Sequence, residues 1–126
     1  MAIQDEFSGT WRFTHWYPSS DDSAEENDVH EMEATMDEGR LVLESSPDKG
    51  DSYMFVRLKV DGDVASGSWH ENAKKDEFGG AMYSGAGQLI ISDDKRKMDG
   101  LWAGAGVDRT TGKLKMYTGR WQLERL

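Results

Sequence analysis

The sequence predicts an all-β fold, an eight-stranded antiparallel up-and-down closed barrel. Three observations predict it. Segments that alternate large apolar with polar residues recur about every ten residues, which is typical of β-sandwiches and barrels. Turn-forming residues separate these segments, with 14 Gly but only 2 Pro in 126 residues. No stretch shows helical periodicity, so no crossover helix is available to connect parallel strands.

The strands follow from the alternation and the turns. In the first strand Trp11, Phe13, His15 and Tyr17 recur at period two, and Trp16 breaks the pattern by facing outward. The predicted strands span residues 7–17, 29–36, 40–46, 52–60, 64–71, 78–92, 98–108 and 113–124. A sheet of this size without a covering helix removes its edges by closing, and its interior is then just wide enough for side chains or one small ligand. The alternation leaves open which face of 78–92 and of 113–124 points inward.

The length fits one domain, residues 1–126, with an N-terminal tail at 1–6 and a mobile acidic loop at 21–28. The formal net charge of −9 disfavours nucleic acid and anionic membranes as partners, because phosphates are bound by clustered cations. The absence of Cys excludes disulfides and Cys-based zinc sites, and it fits a reducing cytoplasm. The N-terminus lacks the basic and apolar regions of a signal peptide. We therefore expect a cytoplasmic protein.

Two histidines are predicted to face the interior from adjacent strands. These are His15 and His30, and a carboxylate such as Glu71 could complete a metal site with them. The alternative, which we favour, is that they are core or pocket-lining groups with hydrogen-bond partners, as buried polar groups usually are. The sequence thus predicts neither a metal nor another cofactor.

Glu71 shares the inward face of its strand with Trp69. A carboxylate desolvated beside an indole has a raised pKa and can act as an acid or base. The alternative, which we favour, is an internal ion pair with Arg120 or another cation.

Small residues are predicted on two inward faces. The face of Trp102 and Asp108, and that of Tyr83, carry five glycines between them: Gly85, Gly87, Gly100, Gly104 and Gly106. The space that they leave is filled either by aromatic rings from opposite strands or by a ligand.

Short motifs resemble those of the calycin group, the lipocalins and streptavidin-like barrels. They are Phe7-Ser8-Gly9-Thr10-Trp11, which resembles the Gly-x-Trp opening of the first strand, and Ser66-Gly67-Ser68-Trp69-His70-Glu71, which resembles a streptavidin-like strand. This resemblance implies that Gly119-Arg120-Trp121 supplies an Arg that packs across the Trp of the first strand.

A longer resemblance is to the β-rich domain that follows helix-turn-helix segments in actinobacterial regulators of the XRE type. The matching residues are Gly9-x-Trp11, Tyr17-Pro18-Ser19-Ser20, Val64-Ala65-Ser66-Gly67-Ser68-Trp69-x-Glu71, Gly80-Ala81-x-Tyr83-x-Gly85, Gln88-Leu89, Met98-x-Gly100-x-Trp102-x-Gly104-x-Gly106 and Thr118-Gly119-x-Trp121-x-Leu123. The helix-turn-helix segment itself has no counterpart here, so the resemblance does not imply DNA binding.

The expected function is a small-molecule-binding or sensing module with an aromatic-lined interior and an apolar or aromatic ligand. The candidate ligand-binding residues are His15, Tyr17, His30, Trp69, Glu71, Tyr83, Trp102, Asp108 and Arg120. A protein-interaction module, such as a homodimer that uses Trp16, is the first alternative. An enzyme that uses Glu71, Asp108 or His30 is the second, and we do not favour it because no nucleophile motif occurs.

Overall fold

Eight antiparallel strands form a closed barrel in the computed structural model, which describes residues 6–18, 25–45, 52–73, 82–108 and 110–126. Each strand pairs with the next along the chain, and β8 pairs with β1. The strands are β1 Gly9–Pro18, β2 Glu25–Asp37, β3 Arg40–Ser45, β4 Ser52–Asp61, β5 Val64–Ala73, β6 Met82–Ile91, β7 Lys97–Val107 and β8 Leu114–Arg125. The predicted eight-stranded up-and-down barrel is confirmed.

The largest departure from the predicted boundaries is the start of β2. This strand begins at Glu25, because its first residues continue the antiparallel ladder with β1 as far as the pair Pro18 and Glu25. Assigning 25–28 to a mobile loop was therefore wrong. Outside the described residues lie 1–5 of the predicted tail, 21–24 of the predicted loop, 46 of the third predicted strand and 78–81 of the sixth.

Tight turns set the strand register at one end of the barrel. Glu38 and Gly39 connect β2 to β3 with φ angles of 52° and 79°, as a type I′ turn requires. Gly62 connects β4 to β5 with φ of 62° at the first central position, where type II′ turns place Gly. These short connections leave the strands no freedom to slip.

The same end is filled by aromatic residues, and we call it the apolar end. Phe7 and Trp11 are buried there, and Nε1 of Trp11 donates a 2.8 Å hydrogen bond to the carbonyl of Phe7. Arg125, at the end of β8, donates to backbone carbonyls just before β1. The backbone N–H of Leu126 donates to the carbonyl of Thr10 at 2.9 Å. The first and last described segments therefore meet at this end.

The inward faces that the sequence left open are now defined. Leu89 and Ile91 of β6 are buried, as are Trp121 and Leu123 of β8. The buried hydrophobic residues are Phe7, Trp11, Phe13, Met32, Ala34, Leu41, Leu43, Met54, Val56, Leu58, Ala65, Trp69, Leu89, Ile91, Met98, Trp102, Trp121 and Leu123. They come from every strand, so the core is the barrel interior.

Aromatic rings occupy the space beside several inward glycines. A Cβ at Gly85 or Gly104 would lie 2.8 or 2.7 Å from Cζ2 of Trp69, and one at Gly87 would meet the Trp121 ring. These separations are shorter than van der Waals contact, so the glycines let the two indoles pack against the backbone. Of the two alternatives, aromatic rings rather than a ligand occupy the space beside Gly85, Gly87 and Gly104.

Candidate functional site

Polar side chains gather at the other end of the interior, which we call the polar end. There β1 ends and β2 begins, and the ladder pairs Phe13 with His30 and His15 with Asp28. Period two turns His15 of β1 and His30 of β2 inward, and Glu71 enters from β5. The predicted inward placement of both histidines is what the structure shows.

These residues form one cluster, which we call the His–carboxylate cluster. Its members are His15, Asp28, His30 and Glu71. One nitrogen or oxygen atom from each member lies within 4.8 Å of the others. Nε2 of His15 lies 3.8 Å from Oδ2 of Asp28, and Nε2 of His30 lies 4.0 Å from Oε2 of Glu71. Both distances exceed hydrogen-bond length.

The two imidazole rings are buried and stacked. Their centroids are 5.7 Å apart with 22° between the ring planes, and each side chain is only 10% exposed. Nε2 of His15 and Nε2 of His30 have no hydrogen-bond partner among the described residues. The hydrogen bonds expected for core histidines are therefore missing at these atoms, which is unusual for buried polar groups.

Burial keeps both rings neutral. It lowers the pKa of His15 to about 4, against the raising effect of the Asp28 carboxylate and with a further lowering by His30. Burial also lowers the pKa of His30, again opposed by Asp28. A neutral imidazole offers a nitrogen lone pair, so the cluster presents ring nitrogens and carboxylate oxygens to a shared point.

Tyr17 borders the cluster from the end of β1. Its ring lies 5.6 Å from that of His15, measured between centroids. Burial, the nearby carboxylates of Asp28, Glu26 and Glu71, and a hydrogen bond to Asp28 raise the pKa of Tyr17 to about 12. Its hydroxyl therefore stays protonated and can orient the Asp28 carboxylate.

An aromatic wall adjoins the cluster. Trp69 and Trp102 are buried and pack edge to face with centroids 5.5 Å apart, and half-buried Tyr83 packs against the same core. Nε1 of Trp102 donates to the carbonyl of Trp16 at 2.9 Å. Nε1 of Trp69 is buried and has no hydrogen-bond partner among the described residues.

Arg120 was wrongly placed in the interior. Its neighbour Trp121 is the inward residue of β8, so alternation directs Arg120 outward. Its side chain is 59% exposed, lies 4.3 Å above the Trp16 ring and is 3.7 Å from a carboxylate oxygen of Glu25. The predicted pair of Glu71 with Arg120 does not form, and Arg125 is the arginine bound at the start of β1.

Asp108 was also wrongly placed. β7 ends at Val107, so the alternation that turns Trp102 inward does not extend to residue 108. The Asp108 carboxylate accepts a 2.9 Å hydrogen bond from the backbone N–H of Thr110. The residue stabilises the turn between β7 and β8.

Asp28 is the cluster member that the sequence prediction missed. It was assigned to the loop because it ends an acidic stretch. The signal was nevertheless present, since Asp28, His30, Met32 and Ala34 continue one period-two face.

Comparison with known proteins returned no relative. No protein-family model matches the chain, and neither a curated protein nor a solved structure matches it. Among the described residues, no helix has the length and hydropathy needed to cross a bilayer. The barrel is consistent with a calycin-like architecture, and function must be inferred from the site itself.

Proposed function

We propose that this barrel is a binding module that holds a small aromatic molecule at the barrel's polar end. The molecule carries a hydrogen-bond acceptor. The observation that carries the proposal is the indole N–H of Trp69, which is buried without a partner among the described residues. Buried indole N–H groups usually have an acceptor.

The other buried indoles provide the comparison. The N–H groups of Trp11, Trp102 and Trp121 donate to the carbonyls of Phe7, Trp16 and Gln88, respectively. Every one of these acceptors is a backbone oxygen, whereas the N–H of Trp69 has no acceptor in the part of the chain that the structure describes. An acceptor atom of a ligand would complete the pattern.

The surroundings of Trp69 suit such a ligand. Aromatic faces with a few convergent polar groups are the usual composition of a small-molecule site. Trp102 packs edge to face on Trp69, and the half-buried Tyr17 and Tyr83 pack against the same core. Because indoles fill the space beside Gly85 and Gly104, the ligand is small and sits towards the polar end.

The resemblance to the β-rich domain of XRE-type regulators belongs to this proposal. It supports a sensing role in the cytoplasm, with the barrel reporting ligand to a partner domain. The outward stack of Trp16 and Arg120 is one surface that such a partner or a second copy of the chain could contact.

The test uses the Trp69 indole as its own reporter. Benzoate, 4-hydroxybenzoate and indole-3-carboxylate are titrated into ¹⁵N-labelled, metal-free protein, and the side-chain indole resonances are followed. We expect at least one probe to shift the Trp69 resonance saturably. Trp69→Phe should weaken that probe about five- to tenfold, since one hydrogen bond contributes about 1 kcal/mol.

Trp121→Phe is the matched control, because it removes an indole N–H that already has a backbone acceptor. It should leave probe affinity nearly unchanged. A Trp69 resonance that none of the three probes moves, or equal weakening in both variants, would refute the proposal.

A further inference from the structure

We propose that the His–carboxylate cluster binds one divalent transition metal ion. This goes beyond the aromatic ligand proposed above, because it depends on different atoms. Two ring nitrogens and two carboxylate oxygens converge from the consecutive strands β1 and β2 and from β5, which lies much further along the chain.

The distances between ring nitrogens and carboxylate oxygens are the first evidence for a metal site. The separations of 3.8 Å and 4.0 Å between ring nitrogens and carboxylate oxygens are too long for hydrogen bonds. Bonds from Zn²⁺ to His nitrogen or carboxylate oxygen are about 2.0–2.2 Å, so two ligands of one tetrahedral ion lie about 3.3–3.6 Å apart. The separations of 3.8 Å and 4.0 Å are slightly wider than that interval, but closer to it than to hydrogen-bond length.

Ligand atoms at the outer limit of 4.8 Å within the cluster must approach each other by about 1 Å to share one ion. Asp28 can provide this movement, because its side chain is 49% exposed near the start of β2. Both histidine side chains are only 10% exposed, so we expect the Asp28 carboxylate to move towards the ring nitrogens on metal binding.

The buried imidazoles supply a second, independent observation. Nε2 of each ring points into the cluster and has no hydrogen-bond partner among the described residues. If the rings were merely paired with the carboxylates, we would expect charge-assisted contacts of about 2.7–2.9 Å. A metal ion would satisfy both nitrogens at once.

Charge and donor type identify the class of ion. Two carboxylates with two neutral imidazoles carry a net charge of −2, which a dication neutralises. Imidazole suits Zn²⁺, Cu²⁺, Ni²⁺ and Fe²⁺, whereas Ca²⁺ and Mg²⁺ prefer all-oxygen sites. We therefore expect Zn²⁺ to bind and Mg²⁺ to be excluded.

Isothermal titration of ZnCl₂ into the chelator-treated, dialysed 126-residue chain measures the site directly. We expect one equivalent to bind, and Co²⁺ to bind with the visible absorption of a low-symmetry nitrogen–oxygen site. MgCl₂ should give no saturable heat.

His30→Gln is expected to weaken Zn²⁺ binding by more than about 100-fold, because changing even an outer partner of a metal ligand costs about 10- to 100-fold. His70→Gln is the matched control. His70 lies on β5 beside Glu71 but is exposed on the outer face, so its loss should leave affinity unchanged.

Asp28→Asn keeps the test decisive if a buried histidine variant fails to fold, because Asp28 is half exposed. Glu31→Gln, an exposed change on the same strand, is its control. Failure of Zn²⁺ to saturate at one equivalent, equal affinity for Mg²⁺, or unchanged Zn²⁺ affinity in Asp28→Asn would overturn the proposal.

The result is separable from the test of the aromatic ligand. Trp69→Phe should retain Zn²⁺ affinity, because the indole is not a ligand of the metal. Probe binding is measured on metal-free protein, so either proposal can fail while the other stands.

Discussion

At the scale of single residues, His15 shows how burial sets protonation. Its ring stacks on that of His30, lies next to the tilted ring of Tyr17 and faces Asp28. Desolvation outweighs the attraction of the carboxylate, so the pKa falls from 6.5 to about 4. His15 is therefore protonated at a lower pH in the folded protein than in the unfolded chain.

This predicts acid destabilisation of the metal-free protein. Below pH 6.5 the unfolded chain protonates His15, whereas the folded protein does so only near pH 4. Stability is then complete above pH 6.5 and declines as the pH falls towards 4, by roughly 3 kcal/mol at most for this group. Urea unfolding at pH 7, 6, 5 and 4.5 measures it. His15→Gln should flatten the dependence of unfolding free energy on pH, and His70→Gln should not. The same pH dependence in both variants and in the unchanged protein would contradict the assignment of this effect to His15.

The site residues differ in how far sequence could predict them. Alternation correctly turned His15, His30 and Glu71 inward. It misplaced Arg120, because the pattern did not show which alternate residues of β8 point inward. It misplaced Asp108, because the alternation stops where β7 ends at Val107. The convergence of β5 with β1 and β2 depends on barrel closure, which no local pattern encodes.

At the scale of elements, glycine placement lets the strands accept large rings. Gly104 of β7 lies where a Cβ would be 2.7 Å from Cζ2 of Trp69 and 2.8 Å from the carbonyl oxygen of Ser84. The sequence indicated small inward residues but not what they contact, because the contacting indole comes from β5, two strands away.

Gly104→Ala should destabilise the barrel by about 1–3 kcal/mol, since overpacking forces Trp69 or the backbone to move. Chemical denaturation measures the change, and the near-ultraviolet circular dichroism of the indoles should alter with it. Ala103→Ser, one residue away on the exposed face, should stay within about 0.5 kcal/mol. Equal effects of the two changes would rule out the packing argument.

Strand boundaries were predicted well where the turns are tight and poorly where charge dominates. Gly39 and Gly62 mark their hairpins by left-handed φ angles that Gly adopts easily. The acidic composition around Glu25 suggested a loop, but the β1 ladder extends to it. Pairing with a neighbouring strand outweighed local composition.

At the scale of the whole molecule, closure depends on the pairing of β1 with β8. Arg125 reinforces it by donating to the carbonyls of Glu6 and Ser8. The calycin resemblance implied such an arginine but assigned it to Arg120, which lies outside on Trp16. The arginine that holds the residues before β1 is therefore Arg125, at the end of β8.

Arg125→Ala should lower the free energy of unfolding by about 1–3 kcal/mol, because hydrogen bonds from a charged donor contribute about that much. Arg120→Ala is its counterpart on the same strand and should cost no more than about 1 kcal/mol, as exposed ion pairs do. Urea titration of both variants gives the comparison. A larger loss in Arg120→Ala would mean that the exterior stack, not the link to β1, holds the barrel closed.

The meeting of Leu126 with Thr10 has a practical consequence for any longer protein or engineered fusion. A segment attached after Leu126 departs beside Phe7 and Trp11, with the length of the barrel between it and the histidines. A domain, tag or solid support joined there is therefore kept away from the end of the barrel that holds His15 and His30.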